Sequence, residues 1–170
     1  MSRRTGLREF QLSVSERLRT AATRTTVASR LGFQVGSDNW FVALNQVNEV
    51  IPVPAMQPVP LTQRWFRGVA NVRGNLYGMV DFCAFQGGEA IGPGMERRVI
   101  LLADRLVGGC GLVVSRMLGL RNPEQFTPAT RPAEAPAWVG GAFTDAGGSR
   151  WLELDLPALV REQRFLEVGA

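Results

Sequence analysis

The sequence predicts a mainly β protein, and three observations carry that prediction. Nineteen glycines and ten prolines are spread through the chain, cutting it into many short apolar runs. Several of those runs alternate apolar and polar residues with the period of two that marks a half-buried strand. Turn-forming residues lie between consecutive runs at hairpin spacing. With 170 residues, 45% of them hydrophobic, the chain has the size of one ordinary domain and can bury a core without staples.

Residues 6–24 are the exception, reading as an N-terminal amphipathic helix. Leu7, Phe10, Val14, Leu18 and Ala21 fall within roughly 80° of one another at helical spacing. Such a stripe suits either a helix packed on its own domain or one offered to a partner. Strands begin near Leu31. Leu31, Phe33 and Val35 alternate with Gly32, Gln34 and Gly36; Ser37-Asp38-Asn39 supplies a turn, and Trp40–Leu44 returns. Val47, Val50 and Val53 continue an extended path. Pro52, Pro54, Pro58 and Pro60 then make 52–60 an edge or rigid connector, because proline has no backbone donor.

Thr62–Phe66 is expected to form one helical turn capped by Thr62. Gly74-Asn75, between two apolar runs, signals a two-residue hairpin loop. In that register Arg73 faces Leu76, Asn71 faces Gly78 and Val69 faces Val80, leaving the surface beside Asn71 open. Residues 87–97 read as a surface loop, Val99–Ala103 and Val107–Ser115 as strands, and 122–137, with four prolines, as a second long loop. Val139–Thr144 and Arg150–Leu154 form a last hairpin. Asp155 caps a short C-terminal helix with Pro157 in its first turn.

Charge and missing residue types narrow the function. All 19 basic residues are arginine. Residues 1–30 hold seven of them against two glutamates, whereas 31–170 hold twelve against thirteen acids. The basicity thus belongs to the N-terminal segment, which speaks against a nucleic-acid-binding domain with a basic face of its own. A single-strand binder would also need exposed stacking aromatics, and here most aromatics lie inside strand patterns. The absence of histidine removes Ser-His-Asp and Cys-His nucleophiles and histidine-ligated metals. The absence of lysine removes a P-loop and a Schiff base. The carboxylates are scattered. These exclusions point to a protein that is not an enzyme, needs no cofactor and works by binding. A small-ligand sensor stays open, though nothing specifies a ligand. Cys83 and Cys110, each in an apolar run, are expected as free buried thiols. No apolar run approaches the length of a membrane span, and Arg8, Glu9, Glu16, Arg17 and Arg19 break any secretory signal. The expected location is the cytoplasm.

Four segments, in order, resemble the CheW-like domains of bacterial chemosensory arrays. They are Val47-Asn48-Glu49-Val50; Gly68-Val69-Ala70-Asn71-Val72-Arg73-Gly74 with Met79-Val80-Asp81-Phe82; Gly111-Leu112-Val113-Val114; and Trp138-Val139-Gly140-Gly141 with Leu152-Glu153-Leu154-Asp155. The resemblance covers about Leu31 to Leu166, dividing the chain into a basic helical segment, 1–30, and a CheW-like domain, 31–170. Pro58-Val59-Pro60-Leu61-Thr62, Trp65-Phe66 and Asn75-Leu76-Tyr77-Gly78 further resemble the PilI-type adaptors of type IV pilus twitching systems; a flagellar CheW-type adaptor is the alternative.

The resemblance implies two SH3-like five-stranded β-barrel lobes sharing a core. It also implies two partners, the regulatory domain of a CheA-type histidine kinase and the helical cytoplasmic tip of a methyl-accepting chemoreceptor. Membrane association would then arise only through the receptor. Val47, Glu49, Gly68 and Arg73 match positions associated with partner contact, and Asn71 joins them on that surface; Glu49 and Arg73 are expected to approach each other across neighbouring strands. Phe41, Gly78 and Ser115 stand where the family often has Gly, Pro and Asp, and the segment after Ser115 is two residues short. The receptor-facing surface is therefore expected to differ in detail.

Overall fold

The structure is a computed structural model and describes residues 29–170. The helix expected over 6–24 and the segment 1–28 lie outside the described residues.

Among the described residues, eleven strands form two sheets. The first joins β1 (Arg30–Val35), β2 (Asp38–Ala43), β8 (Arg116–Arg121), β9 (Phe126–Ala129), β10 (Val139–Asp145) and β11 (Arg150–Leu154) in the order β8-β1-β2-β11-β10-β9. The second joins β3 (Val47–Pro52), β4 (Phe66–Val72), β5 (Asn75–Asp81), β6 (Arg98–Leu102) and β7 (Cys110–Val114) in the order β3-β6-β7-β5-β4. The two-lobed mainly β architecture matches the expectation, except that the first sheet carries six strands rather than five.

The two sheets share one core. Phe33, Trp40 and Val42 from the first meet Val80, Ile100, Leu102, Leu112 and Val114 from the second. Each such side chain withdrawn from water contributes about 1.5–3 kcal/mol. The opposite faces of β5, β6 and β7 bury Met79, Val99, Leu101 and Val113 in the second lobe's own interior. The central strand β7 is therefore buried at every residue. The first lobe fills its interior with rings, Phe41 lying 5.2 Å from both Phe126 and Phe143 and 6.3 Å from Trp151.

One-turn helices close the lobes together: α1 (Phe82–Phe85), α2 (Leu156–Leu159) and α3 (Gln163–Leu166). Asp155 caps α2 by accepting from Ala158 N at 3.0 Å, with proline in the first turn, as the sequence predicts. Phe85 of α1 and Phe165 of α3 both meet Trp65, at 5.3 and 6.3 Å between centroids.

Several local expectations are corrected. The β1–β2 loop is Gly36-Ser37, with Gly36 at φ 59°, so Asp38 and Asn39 already belong to β2. Gly36 supplies the positive φ that a two-residue loop demands. Thr62–Phe66 is a turn and not a helix: Phe66 N bonds Gln63 O at 2.9 Å, and Phe66 enters β4 directly. The second long loop contains β9, and β8 precedes it. The prolines at 52–60 behave as expected, since β3 is an edge strand ending on Pro52. Cys110 is buried but Cys83 is only half-buried, and both are free thiols. Cys83 sits in α1, between the lobes and the loop that follows.

Candidate functional site

Three of the five site residues proposed from sequence, Glu49, Asn71 and Arg73, meet at the β4–β5 hairpin of the second lobe. The β4–β5 hairpin turns on Arg73 and Gly74, both left-handed at φ 51° and 88°. This is one residue earlier than Gly74-Asn75. Asn71 accordingly faces Leu76, and Val69 faces Gly78. The cause is Asn71 itself, whose Oδ1 accepts from Gly74 N at 2.8 Å. A side chain that closes the loop from inside stabilises the primed turn and carries Arg73 into a conformation unusual for a residue with a Cβ.

At the tip Arg73 donates from Nη1 and Nη2 to the two carboxylate oxygens of Glu49, each at 2.6 Å. The expectation was an approach across neighbouring strands. Instead, Glu49 lies on β3 and Arg73 follows β4, the two opposite edges of the five-stranded sheet. Strand twist curls the sheet until those edges meet, and the bidentate pair bridges them. Arg73's hydrogen bond holds Glu49 below the usual carboxylate range, and the same bond raises the guanidinium. The Arg73 side chain is 73% exposed and that of Glu49 35%. Two of five guanidinium N–H groups serve the pair, leaving three to face outward.

The remaining residues play different parts. A bulge between Val47 and Glu49 re-aims Glu49 toward the hairpin. Val47 is half-buried and packs against the shared core. Gly68 is buried with φ 117°, and a Cβ there would lie 2.1 Å from the Gln57 carbonyl oxygen. Gln57 and Val69 exchange backbone bonds of 2.8 and 2.9 Å. Gly68 thus lets the proline-rich segment lie across the edge of β4 and offers no surface of its own. Asn71, Arg73 and Glu49 come together, whereas Val47 packs on the shared core and Gly68 lies against Gln57.

Two residues were missed as site residues. Leu76 is 67% exposed, beside the Arg73 turn and opposite Asn71. The alternation of Tyr77 and Met79, both buried, was the available signal that Leu76 points outward. Asp81, fully buried, accepts from Ala84 N at 3.0 Å and Ile91 N at 2.8 Å and pairs with Arg67 at 3.3 Å. It ties the far end of β5 to α1, to the following loop and to β4. Among the described residues no cluster of three or more His, Cys, Asp or Glu could hold a metal ion, and no helix is long and apolar enough to cross a membrane.

Comparison with known proteins bears on this geometry. The family model for the CheW-like domain matches residues 30–164. Protein PilI of Pseudomonas aeruginosa is 31% identical over 145 residues, spanning 83% of this chain and 80% of that protein. The crystal structure of the scaffolding protein TtCheW from Thermoanaerobacter tengcongensis superposes with a TM-score of 0.69 at 18% identity, covering 84% of this chain and 98% of that one.

Proposed function

This chain belongs to the CheW-like domain family, and from that premise we propose that it is a non-catalytic cytoplasmic adaptor coupling chemoreceptors to a CheA-type histidine kinase. The likeness to Protein PilI supports placing it in a chemosensory system that controls type IV pilus twitching. One observation carries the binding reading: the Glu49–Arg73 bridge at the hairpin tip. Arg73 stands in a costly backbone conformation, mostly exposed, with its charge matched and donors to spare. Strain held at a surface tip is characteristic of a contact site. Leu76 beside it adds the apolar element a contact centre needs. Val47, Glu49, Gly68, Asn71 and Arg73 form or support this surface.

The test is reconstitution of the purified protein with the kinase regulatory domain and a receptor cytoplasmic fragment. The adaptor reading expects one complex containing all three, and kinase activity that depends on receptor only when the adaptor is present. An adaptor that binds neither partner contradicts it.

A further inference from the structure

The connector between β3 and β4 is held at two places by different partners. At one, Gln57 and Val69 exchange backbone bonds of 2.8 and 2.9 Å, which covers the edge of β4. At the other, residues 61–63 pair with residues 168–170. Gln63 N–H donates to Val168 O at 2.8 Å, Ala170 N–H to Leu61 O at 2.9 Å and Gln63 Nε2 to Gly169 O at 2.9 Å, with Thr62 opposite Gly169.

Residues 168–170 reach this place from the first lobe. After β11, Asp155 N–H donates to Trp138 O at 2.8 Å, and Leu156 and Leu159 of α2 are buried in the shared core. Phe165 of α3 then stacks on Trp65, the ring planes 4° apart. The segment is therefore a strap from one lobe to the other. As far as Phe165 it is anchored by burial. From Glu167 onward it rests on Val168, half-buried against the core, and on the three bonds to Leu61 and Gln63.

Those bonds act on a strained residue. Leu61 is left-handed at φ 57°, a conformation that crowds the Cβ of any residue but glycine. Its side chain is 85% exposed, so packing does not offset the strain. Hydrogen bonds on either side hold it: Ala170 N–H on its own carbonyl, and the Thr62 hydroxyl, which donates to Val59 O at 2.8 Å. The chain reversal at Val59–Thr62 is also what leads from Gln57, on the β4 edge, to Gln63, under the strap.

We propose that residues 167–170 are a latch, and that latch and connector open together as one unit that gates the edge of β4. When 167–170 lift away, Leu61 loses the bond that opposes its strain and relaxes toward extended backbone. The reversal unwinds, and the Gln57–Val69 exchange goes with it. Val69 N–H and C=O are then an open strand edge with which an extended peptide segment can pair. The Trp65–Phe165 stack stays closed and serves as the hinge. The gate rests on backbone pairing alone and is independent of the Glu49–Arg73 tip.

Amide hydrogen exchange on the full chain tests this through Gln57, Gln63 and Val69. In the wild-type chain the three amides should share one protection factor, at least about ten-fold below those of β6 and β7. Val168→Asp puts a charge at the half-buried anchor of the latch. It should speed all three by one common factor of at least about ten, with β6 and β7 unchanged. Leu61→Gly removes the strain and should slow all three by about two- to five-fold. Faster exchange at Gln63 alone in Val168→Asp overturns the gate, because the strap then frays without moving the connector. Equal acceleration in β6 and β7 overturns it as well, since the strap is then part of the global core. So does a Val168→Asp chain that exchanges like wild type, or a Leu61→Gly chain in which the three amides exchange no more slowly.

Discussion

Replacing Asp81 with alanine removes the one fully buried charged side chain among the described residues, and the structure sets the size of the loss. The carboxylate caps α1 through Ala84 N, holds Ile91 N and pairs with Arg67. Losing the cap costs about 1 kcal/mol. Leaving the Ile91 N–H without its acceptor costs about 1–3 kcal/mol more. Arg67 is 37% exposed and turns to solvent, so it adds little. Together these give roughly 2–4 kcal/mol, or a melting temperature lower by about 4–16 °C for a domain of this size. Asp81→Asn keeps the cap, because asparagine is an equally good cap residue, but turns a donor toward Ile91 N–H. It should melt between wild type and Asp81→Ala. Thermal unfolding measures both, and amide exchange at Ile91 shows whether the loop is released. An Asp81→Ala melting point within about 2 °C of wild type would refute the reasoning.

Gly68→Ala drives a methyl group into the Gln57 carbonyl at a positive φ, so the urea midpoint should fall by the equivalent of at least about 2 kcal/mol; an unchanged midpoint contradicts the close approach. Burial pushes the Cys110 thiol up to about 12, so a thiol reagent at mild pH should label it only after unfolding. Cys83, half-buried and raised by desolvation and then by Asp81, Asp38 and Glu89, should label first but slowly. Because the folded thiol holds its proton more tightly than the unfolded one, the Cys110 contribution is complete below about pH 9 and lost as pH rises toward 12; Cys110→Ala should show a flatter stability profile over that range. Asp145 is held below the usual carboxylate range, chiefly by the Trp151 indole N–H at 2.9 Å. Its contribution is present above about pH 4 and lost as pH falls further, and Asp145→Asn should remove that part of the acid limb in a tryptophan-fluorescence titration.

The sequence reading succeeded where a local rule had no competitor. The Asp155 cap with Pro157, the edge assignment of the 52–60 prolines and the Gly-rich 87–97 loop all depend on backbone chemistry that tertiary context does not override. It failed where two turns were chemically possible. Ser37-Asp38-Asn39 and Gly74-Asn75 are good turn sequences, but Gly36 and the Asn71 side chain settled the loops one residue earlier. That slip exchanged the partner of Asn71 from Gly78 to Leu76 and hid an exposed leucine. The strand β8 escaped notice because its exposure is irregular along an edge, with Arg116, Gly119 and Leu120 exposed and Met117, Leu118 and Arg121 half-buried, which leaves no clean period. The Glu49–Arg73 contact was anticipated from the family resemblance, yet its geometry was not. Only the curl of a complete sheet brings opposite edges together, and no window of sequence contains that information.

The central claim is that Arg73 presents a partner-binding surface. Binding of the kinase regulatory domain and of the receptor fragment should be measured by calorimetry for Arg73→Glu and for the charge exchange Glu49→Arg with Arg73→Glu. The account predicts that both variants keep the wild-type melting temperature, because the pair is exposed and weakly coupled to the fold. It predicts that each loses at least about ten-fold in affinity for one partner. The exchange should restore the ion pair but not the binding. Wild-type affinity of Arg73→Glu for both partners, with the fold intact, would contradict the claim.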